Sequence, residues 1–474
     1  MTKEYDLVIL GGGTGGYVAA IRAAQLGMSV ALVEKHKLGG TCLHQGCIPT
    51  KALLKTAALY RDIHQADAFG IETDEATINL NKVHQRINET TETLYQGIQT
   101  LMKKHQIDVI EGTGRILGAS IFSPTAGTIS VEHEDHEENT ILLNKHVLIA
   151  TGSKPTNLPN IEVDGEYILN SDHALQLDHL PQSIVIIGGG VIGLEWASLL
   201  CDLGVKVTVI EKDANVLPAE DTEVQKEVEK QLQKRGVLFY TNTEIIPDSI
   251  KKDTNNITLQ TEKDGIVHDV TAEKILLAVG RKANTKQIGL QNTEVETKDG
   301  YIVTNEMFQT NESHIYAIGD CIGGMQLAHV ASKEGIIAVE HMAKQSPLPL
   351  NSLHVPNCVY SYPEVARIGM TEEQAKAAGH EIKIGKFPFQ GIGKAQINHT
   401  PIGFSKIISD KNTEDILGVH LVGPNVTELI SEASLAKTLD ATAWEISQTI
   451  HPHPSLSEII FESSLAVDGL QIHG

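Results

Sequence analysis

One pattern occurs twice in this chain, and it constrains the fold more than anything else. The apolar run Tyr5–Leu10 leads into Gly11-Gly12-Gly13-Thr14-Gly15-Gly16, then Tyr17–Leu26, Gly27, Val30–Val33 and Glu34. Adding 177 to these positions gives Ser183–Ile187, Gly188-Gly189-Gly190-Val191-Ile192-Gly193, Leu194–Leu203, Gly204, Val207–Ile210 and Glu211. A lone GxGxxG says little. Here each copy follows a β-type run, opens a helix-type run and meets an acidic residue 23 positions after its first glycine, the complete dinucleotide-binding unit. The first Gly makes the tight turn, the second lets backbone approach a pyrophosphate, and the third allows close helix–strand packing. The helix N-terminus then offers free N–H groups to the phosphates. Glu34 and Glu211 are placed to accept from ribose hydroxyls. A carboxylate at Glu211 also repels a 2′-phosphate, which favours NAD over NADP. Two dinucleotide sites are expected.

A smaller echo supports two similar domains. Val147–Ser153 and Ile275–Arg281 are each an apolar strand ending at a Gly, as fits strands returning to the ligand-binding edge of a sheet. The expected fold is α/β, with two Rossmann-like dinucleotide-binding domains and the second inserted in the first. The first comprises residues 1–150 and 281–349, re-entered through Tyr316–Asp320, and the second residues 151–280. From 350 to 474, β-rich segments (Val355–Tyr360, Phe404–Ser409) alternate with helix-like ones (Thr371–Ala378, Val426–Lys437). This reads as an α+β domain without a nucleotide motif, suited to an oligomer interface.

Composition narrows the partners. Of the 474 residues, 60 are acidic and 38 basic, for a formal charge of −22. Such a surface repels phosphate backbones and anionic lipid; beyond solubility, it suits a basic protein partner. The apolar runs Leu7–Ala20 and Ile184–Leu194 are too short to span a bilayer, and Glu4 and Asp6 stand where a signal peptide would be positive. Five cysteines (42, 47, 201, 321, 358) are too few for a disulfide scaffold of this length. A reducing cytoplasm is expected, where a disulfide is catalytic rather than structural.

Cys42 and Cys47 lie in Gly39-Gly40-Thr41-Cys42-Leu43-His44-Gln45-Gly46-Cys47-Ile48-Pro49-Thr50-Lys51. Directly after a dinucleotide unit, the pair suggests a redox disulfide. Residues i and i+5 of a regular helix are roughly 8.6 Å apart, beyond the bridging limit of roughly 7 Å. A bridge therefore needs a distorted helix, for which Gly46 and Pro49 provide. Two other readings remain, a metal site, for which only His44 is close enough to help, and two ordinary buried thiols. Near the C-terminus stands His451-Pro452-His453-Pro454-Ser455-Leu456-Ser457-Glu458. His-x-His could chelate a metal, but the prolines restrict the backbone and no third ligand is near in sequence; no metal is expected. His133 and His136, in an acidic run, read as surface residues.

Together these segments resemble the flavoprotein disulfide reductases (class I pyridine nucleotide-disulfide oxidoreductases) over essentially the whole chain, and most closely those that oxidise dihydrolipoamide. The resemblance implies a redox-active Cys42–Cys47 disulfide. It implies FAD held by Gly11, Gly13, Gly16, Glu34, Thr41, Lys51, Gly114, Thr151, Gly152, Ser153, Asp320 and Ala328. Gly188, Gly190, Gly193, Glu211 and Gly280 would serve NAD. Lys51 would lie beside the flavin ring and pair with Glu195, whose alternative role is a charge near a helix N-terminus. His453 would be the general base, acting from the other subunit of a homodimer and oriented by Glu458; an ordinary imidazole accepts a thiol proton near pH 7. The family more often has Ala where this chain has Pro452. The implied partner is the lipoyl-bearing acyltransferase of a 2-oxo acid dehydrogenase complex, docked through a small basic domain, which the acidic surface fits. His44 and Gln45 between the cysteines resemble variants serving branched-chain complexes.

The rivals differ at identifiable positions. Mercuric reductase ends in a Cys pair, whereas this chain ends Leu470-Gln471-Ile472-His473-Gly474. Glutathione reductase prefers NADPH and carries Arg near the second ribose, where Glu211-Lys212 stands here. A transhydrogenase lacks the first Cys. A non-catalytic nucleotide-binding scaffold has no use for the set Cys42, Cys47, His453 and Glu458.

Overall fold

Leu7, Val8, Ile9 and Leu10 are all at most 2% exposed, so both faces of their strand are covered, the signature of a central parallel strand. Leu7 and Ile9 pack with Ala19, Ala20 and Ala23 on one face; Val8 and Leu10 pack with Ile116, Ile129 and Val131 on the other. The two-residue alternation of a strand divides them. The computed structural model describes residues 2–119, 127–133 and 138–473; His136 lies outside them. His133 is half-buried at the surface, and its ring bonds the Glu111 carbonyl and the Thr140 hydroxyl at 2.9 Å each.

The chain forms two compact units. The first comprises residues 1–52, 79–156 and 280–350. Its sheet runs in the order Asp108–Glu111, Val30–Glu34, Thr2–Leu10, Thr140–Ile149, Ile129–Glu132, Thr113–Ile116. Ile315–Ala317 joins it in parallel with Thr140–Ile149, so the chain does return to this sheet through Tyr316. The helix Thr14–Gln25 packs beside Ala328–Met342. Leu80–Lys104 is capped by the Asn79 side chain, which accepts the Lys82 N–H at 3.1 Å.

The second unit comprises residues 53–78, 157–279 and 351–474. It holds a second parallel sheet, in the order Leu238–Tyr240, Lys206–Ile210, Ser183–Ile187, Lys274–Leu277, Ile168–Leu169. Glu244–Lys252, Ile257–Lys263 and Ile266–Ala272 form an antiparallel sheet that the sequence reading did not anticipate. After Asn351 come five antiparallel strands in the order Asn357–Val359, Glu364–Gly369, Ile416–Gly423, Phe404–Asp410, Ile382–Pro388. The helices Val426–Thr438 and Glu458–Ala466 pack on them. The expected helix at Thr371–Ala378 is Glu372–Ala377, closed by a capping box at Thr371.

Every residue of Phe404–Asp410 is buried, Lys406 included. Its ammonium meets Asp221 at 3.0 Å, Glu223 at 2.9 Å and Glu372 at 2.6 Å. A buried ammonium is tolerated only when so satisfied; truncating Lys406 would leave the buried Asp221 carboxylate without its cation at a cost of several kcal/mol, about 3–5. No described helix is long and apolar enough to cross a membrane.

Candidate active site

The two glycine-rich turns repeat each other in atomic detail. Gly11 has φ +104° and Gly188 φ +109°, a region that disfavours residues with a Cβ. A Cβ there would lie 2.3 Å from the Ala150 carbonyl oxygen and 2.4 Å from that of Ala278, respectively. At Gly16 and Gly193 a Cβ would lie 1.9 Å from the Gly11 carbonyl oxygen and 2.0 Å from that of Gly188. Helix and strand thus approach closer than any side chain allows.

The helices that follow are built for an anion. Thr14–Gln25 and Val191–Asp202 open on Gly13 and Gly190 with no side-chain cap and no acidic residue in the first turn. Thr222–Lys234 and Glu372–Ala377, by contrast, are capped by Asp221 and Thr371. A Cβ on Gly190 would meet nothing within 4 Å, and one on Gly13 only Gly40 at 4.0 Å. Uncapped N–H donors beside open space fit a pyrophosphate at both places. Ala328 starts a third such helix, after Leu327, again without a side-chain cap or an early acid.

The two acidic residues also match. Glu34 accepts the Gly12 N–H at 2.7 Å and the His36 N–H at 2.9 Å. Glu211 accepts the Gly189 N–H at 2.6 Å and the Asp213 N–H at 2.9 Å. The backbone bonds fix each carboxylate at the end of its strand and leave lone pairs for a ribose. These bonds were not foreseen from the sequence. Gly114 is more tightly surrounded than a ligand contact requires: a Cβ would lie 2.6 Å from Leu10 and 3.1 Å from Val33.

Around the first sheet's edge, Gly152 has φ +67° with open space where a Cβ would stand, and its carbonyl accepts the Asn284 N–H at 2.9 Å. Thr151 offers its carbonyl to the Asn284 side chain at 3.2 Å. The Ser153 hydroxyl donates to Asp320 and accepts from Arg281 Nε, the latter at 2.7 Å. Next to Asp320, the Gly319 N–H donates to Glu334 at 2.6 Å. Burial pushes that carboxyl up to about 7 against the Gly319 bond, with the Asp320 charge adding to the rise.

The distortion demanded between the cysteines is present. Gly40–His44 ends at Gln45 (φ −138°, ψ 15°), and a new helix, Cys47–His64, begins after Gly46. The Thr41 carbonyl accepts the Gln45 N–H at 2.9 Å and would stand 3.0 Å from a Cβ on Gly46. Both cysteines are thiols. The hydrogen bond with Cys47 pushes the Cys42 thiol far up, burial and the Cys47 and Asp320 charges add to this, and Lys51 opposes it. Cys42 in turn helps burial raise the Tyr17 phenol; nothing in the sequence pointed to Tyr17. His44 is taken up by structure, bonded to the Leu38 carbonyl at 2.8 Å and set edge-on to Tyr95. Among the described residues no cluster of three or more His, Cys, Asp or Glu could hold a metal ion.

In the second unit, Glu195 is 3% exposed and accepts the Tyr360 N–H at 3.0 Å. It lies beyond the first turn of its helix, so the helix-terminus reading does not account for it. Gly280 belongs to the first unit, with φ +105° and open space at the Cβ position. His453 and Glu458 come together: Nδ1 bonds Oε1 at 2.9 Å, and Oε2 accepts the Ser455 N–H at 3.0 Å. Against opposing burial, the Ser455 and His453 bonds hold the Glu458 carboxyl below its ordinary value. The His453 side chain is 76% exposed, and no described residue bonds its Nε2, so that nitrogen can take a proton.

The sequence pattern described as "Pyridine nucleotide-disulphide oxidoreductase" matches residues 5–335, and that of the dimerisation domain of the same family matches residues 355–464. The chain is 59% identical over 473 residues to a dihydrolipoyl dehydrogenase of Bacillus subtilis, covering 100% of both. It is 40% identical to a dihydrolipoyl dehydrogenase of Zymomonas mobilis, again over 100% of both chains. Among solved structures, LpdA from Mycobacterium tuberculosis superposes with a TM-score of 0.89 at 28% identity, covering 97% of this chain and 98% of that one. The flavoprotein disulfide reductase RclA from Escherichia coli gives 0.83 at 26%, covering 96% and 98%.

Proposed function

We propose, from the premise that this chain belongs to the pyridine nucleotide-disulphide oxidoreductase family, that it oxidises protein-bound dihydrolipoamide to lipoamide and reduces NAD+. The enzyme is FAD-dependent, and its cofactors are FAD and NAD. Residues 1–150 and 281–349 form the FAD-binding domain, 151–280 the NAD-binding domain and 350–474 the dimerisation domain.

The Gly11–Gly16 turn, the N–H groups after Gly13, Glu34, Thr41, Lys51, Gly114, the Thr151–Ser153 turn, Asp320 and the helix start at Ala328 would hold FAD. The Gly188–Gly193 turn and Glu211 would hold NAD. When bound, FAD would supply a two-electron acceptor for the reduced cysteines, and NAD+ would be the final hydride acceptor. The remaining steps belong to side chains. Nε2 of His453 of the partner subunit accepts a thiol proton from dihydrolipoamide, and Glu458 keeps that imidazole oriented. The substrate thiolate attacks Cys42; the Cys42–Cys47 bond breaks and Cys47 leaves as a thiolate. The second substrate thiol then attacks the first substrate sulfur, which releases Cys42 and closes the lipoamide ring.

The observation that carries this reading is the helix break between Cys42 and Cys47, set just after an open glycine cradle. His453→Gln tests it: dihydrolipoamide oxidation falls by about 10²-fold or more while FAD is retained, and normal turnover would remove the assignment. The working assembly is a cytoplasmic homodimer in a 2-oxo acid dehydrogenase complex, docked on a basic domain of the lipoyl-bearing acyltransferase. That docking weakens with salt; a pull-down unchanged at high salt contradicts it.

A further inference from the structure

Two histidines stand two residues apart near the C-terminus, and their surroundings are opposite. His453 is exposed, with one nitrogen on Glu458 and the other open. The His451 side chain is only 5% exposed. Its Nδ1 lies 3.0 Å from the Thr449 carbonyl oxygen and its Nε2 2.8 Å from Glu432 Oε1. A carbonyl only accepts, and a carboxylate only accepts. Both ring nitrogens must therefore donate, which requires the imidazolium form.

We propose that His451 is a positioning residue for dithiol oxidation, a buried imidazolium clamped between Glu432 and the Thr449 carbonyl that fixes the backbone from which His453 reaches the substrate. This rests on the reading of His453 as the base. His451 itself cannot be that base, because neither nitrogen has a free lone pair.

The lever is short and stiff. Only Pro452 separates the two histidines, and a proline ring fixes φ and supplies no N–H. The departure from the family's usual Ala thus has a use here, in transmitting the anchorage of His451 to His453. The preceding Ile450 is 95% exposed and adds no buried anchor. The groups facing His451 agree on its charge. The helix Val426–Thr438 presents Glu432, and Glu458–Ala466 presents the Glu458 charge and the Phe461 ring, centred 5.8 Å away. Its own segment presents the Thr449 carbonyl.

The Glu432 hydrogen bond raises the His451 pKa above its ordinary value, against opposing burial. For a base shifted upward, the clamp is complete below the ordinary value and is lost as pH rises through the raised one. A neutral ring can donate only once, so one anchor then fails.

The test uses the holoenzyme, with histidines isotopically labelled and the His451 resonances assigned through His451→Gln. The kcat/KM for dihydrolipoamide is recorded against pH beside NADH reduction of an artificial one-electron acceptor, which draws on the flavin and needs no thiol base. His451 is expected to be imidazolium at neutral pH, with dithiol oxidation falling on the alkaline side as it titrates. Glu432→Gln moves both the titration and the fall to lower pH, because the hydrogen bond that raises the His451 pKa is weakened. His451→Gln lowers dithiol oxidation about tenfold and leaves acceptor reduction in place. A neutral His451 at neutral pH, a Glu432→Gln profile that does not move, or an equal loss of both activities in His451→Gln overturns the proposal. Failure of the base assignment would show instead in His453→Gln, and the His451 titration does not depend on it.

Discussion

His453 Nδ1 lies 2.9 Å from Glu458 Oε1, and the other oxygen of the same carboxylate binds the Ser455 amide. The carboxylate therefore orients the ring and ties it to the start of its own helix. Glu458→Gln keeps the shape but loses the charge that stabilises the protonated ring. Dihydrolipoamide oxidation is expected to fall by about 10²-fold, chiefly in kcat, with flavin content unchanged. The sign of the pH dependence follows. A carboxyl held below its ordinary value is charged above that value and protonates only as pH falls through the lowered one. Glu458 thus keeps its charge until pH falls below the ordinary carboxyl value, and steady-state kinetics against pH, wild type beside Glu458→Gln, checks it.

The paired glycine turns separate the two cofactors. Gly193→Ala drives a Cβ to 2.0 Å from the Gly188 carbonyl oxygen and should cost NAD-dependent turnover about tenfold or more while the protein keeps its flavin. Gly16→Ala does the same at Gly11 and should yield protein depleted of flavin. Visible absorbance of the purified variants and NADH binding distinguish the two outcomes.

Glu211 is 8% exposed and fixed by two backbone N–H groups. Removing its charge should relax the bias against a 2′-phosphate. Glu211→Ala is expected to raise kcat/KM for NADP+ relative to NAD+ by about tenfold, equivalent to about 1.4 kcal/mol. The ratio of the two coenzymes in steady state measures it.

Much of the site was legible because its chemistry depends on local spacing. Gly11, Gly13 and Gly16, their repeat at 188–193, and the need for a break near Gly46 all follow from backbone geometry within a few residues. So does the reach from His453 to Glu458. What escaped depends on partners distant in sequence. Lys406 reads as an ordinary polar residue on a strand until Asp221, Glu223 and Glu372 surround it. Glu334 looks like a helix-surface acid, yet it is 6% exposed and holds the Gly319 amide. The difference between His451 and His453 lies in Glu432, 19 residues upstream.

Glu334 makes a prediction of its own. A buried carboxyl raised to about 7 binds its proton more tightly folded than unfolded, so stability falls as pH rises from the ordinary carboxyl value to about 7 and is constant beyond. Glu334→Gln keeps an acceptor for the Gly319 amide without the charge. It should stabilise the holoenzyme above about pH 8 by on the order of 2 kcal/mol and have no effect near pH 5. Thermal unfolding at the two pH values checks this.

The most direct measurement is a steady-state assay of the purified holoenzyme with dihydrolipoamide and NAD+, set beside NADP+, and with NADPH-driven reduction of oxidised glutathione and mercuric ion. The account predicts rapid NAD+ reduction that is lost in both Cys42→Ser and Cys47→Ser, with slight activity in the other pairings. Full dithiol oxidation in either serine variant, or a preference for glutathione or mercuric ion, would contradict it.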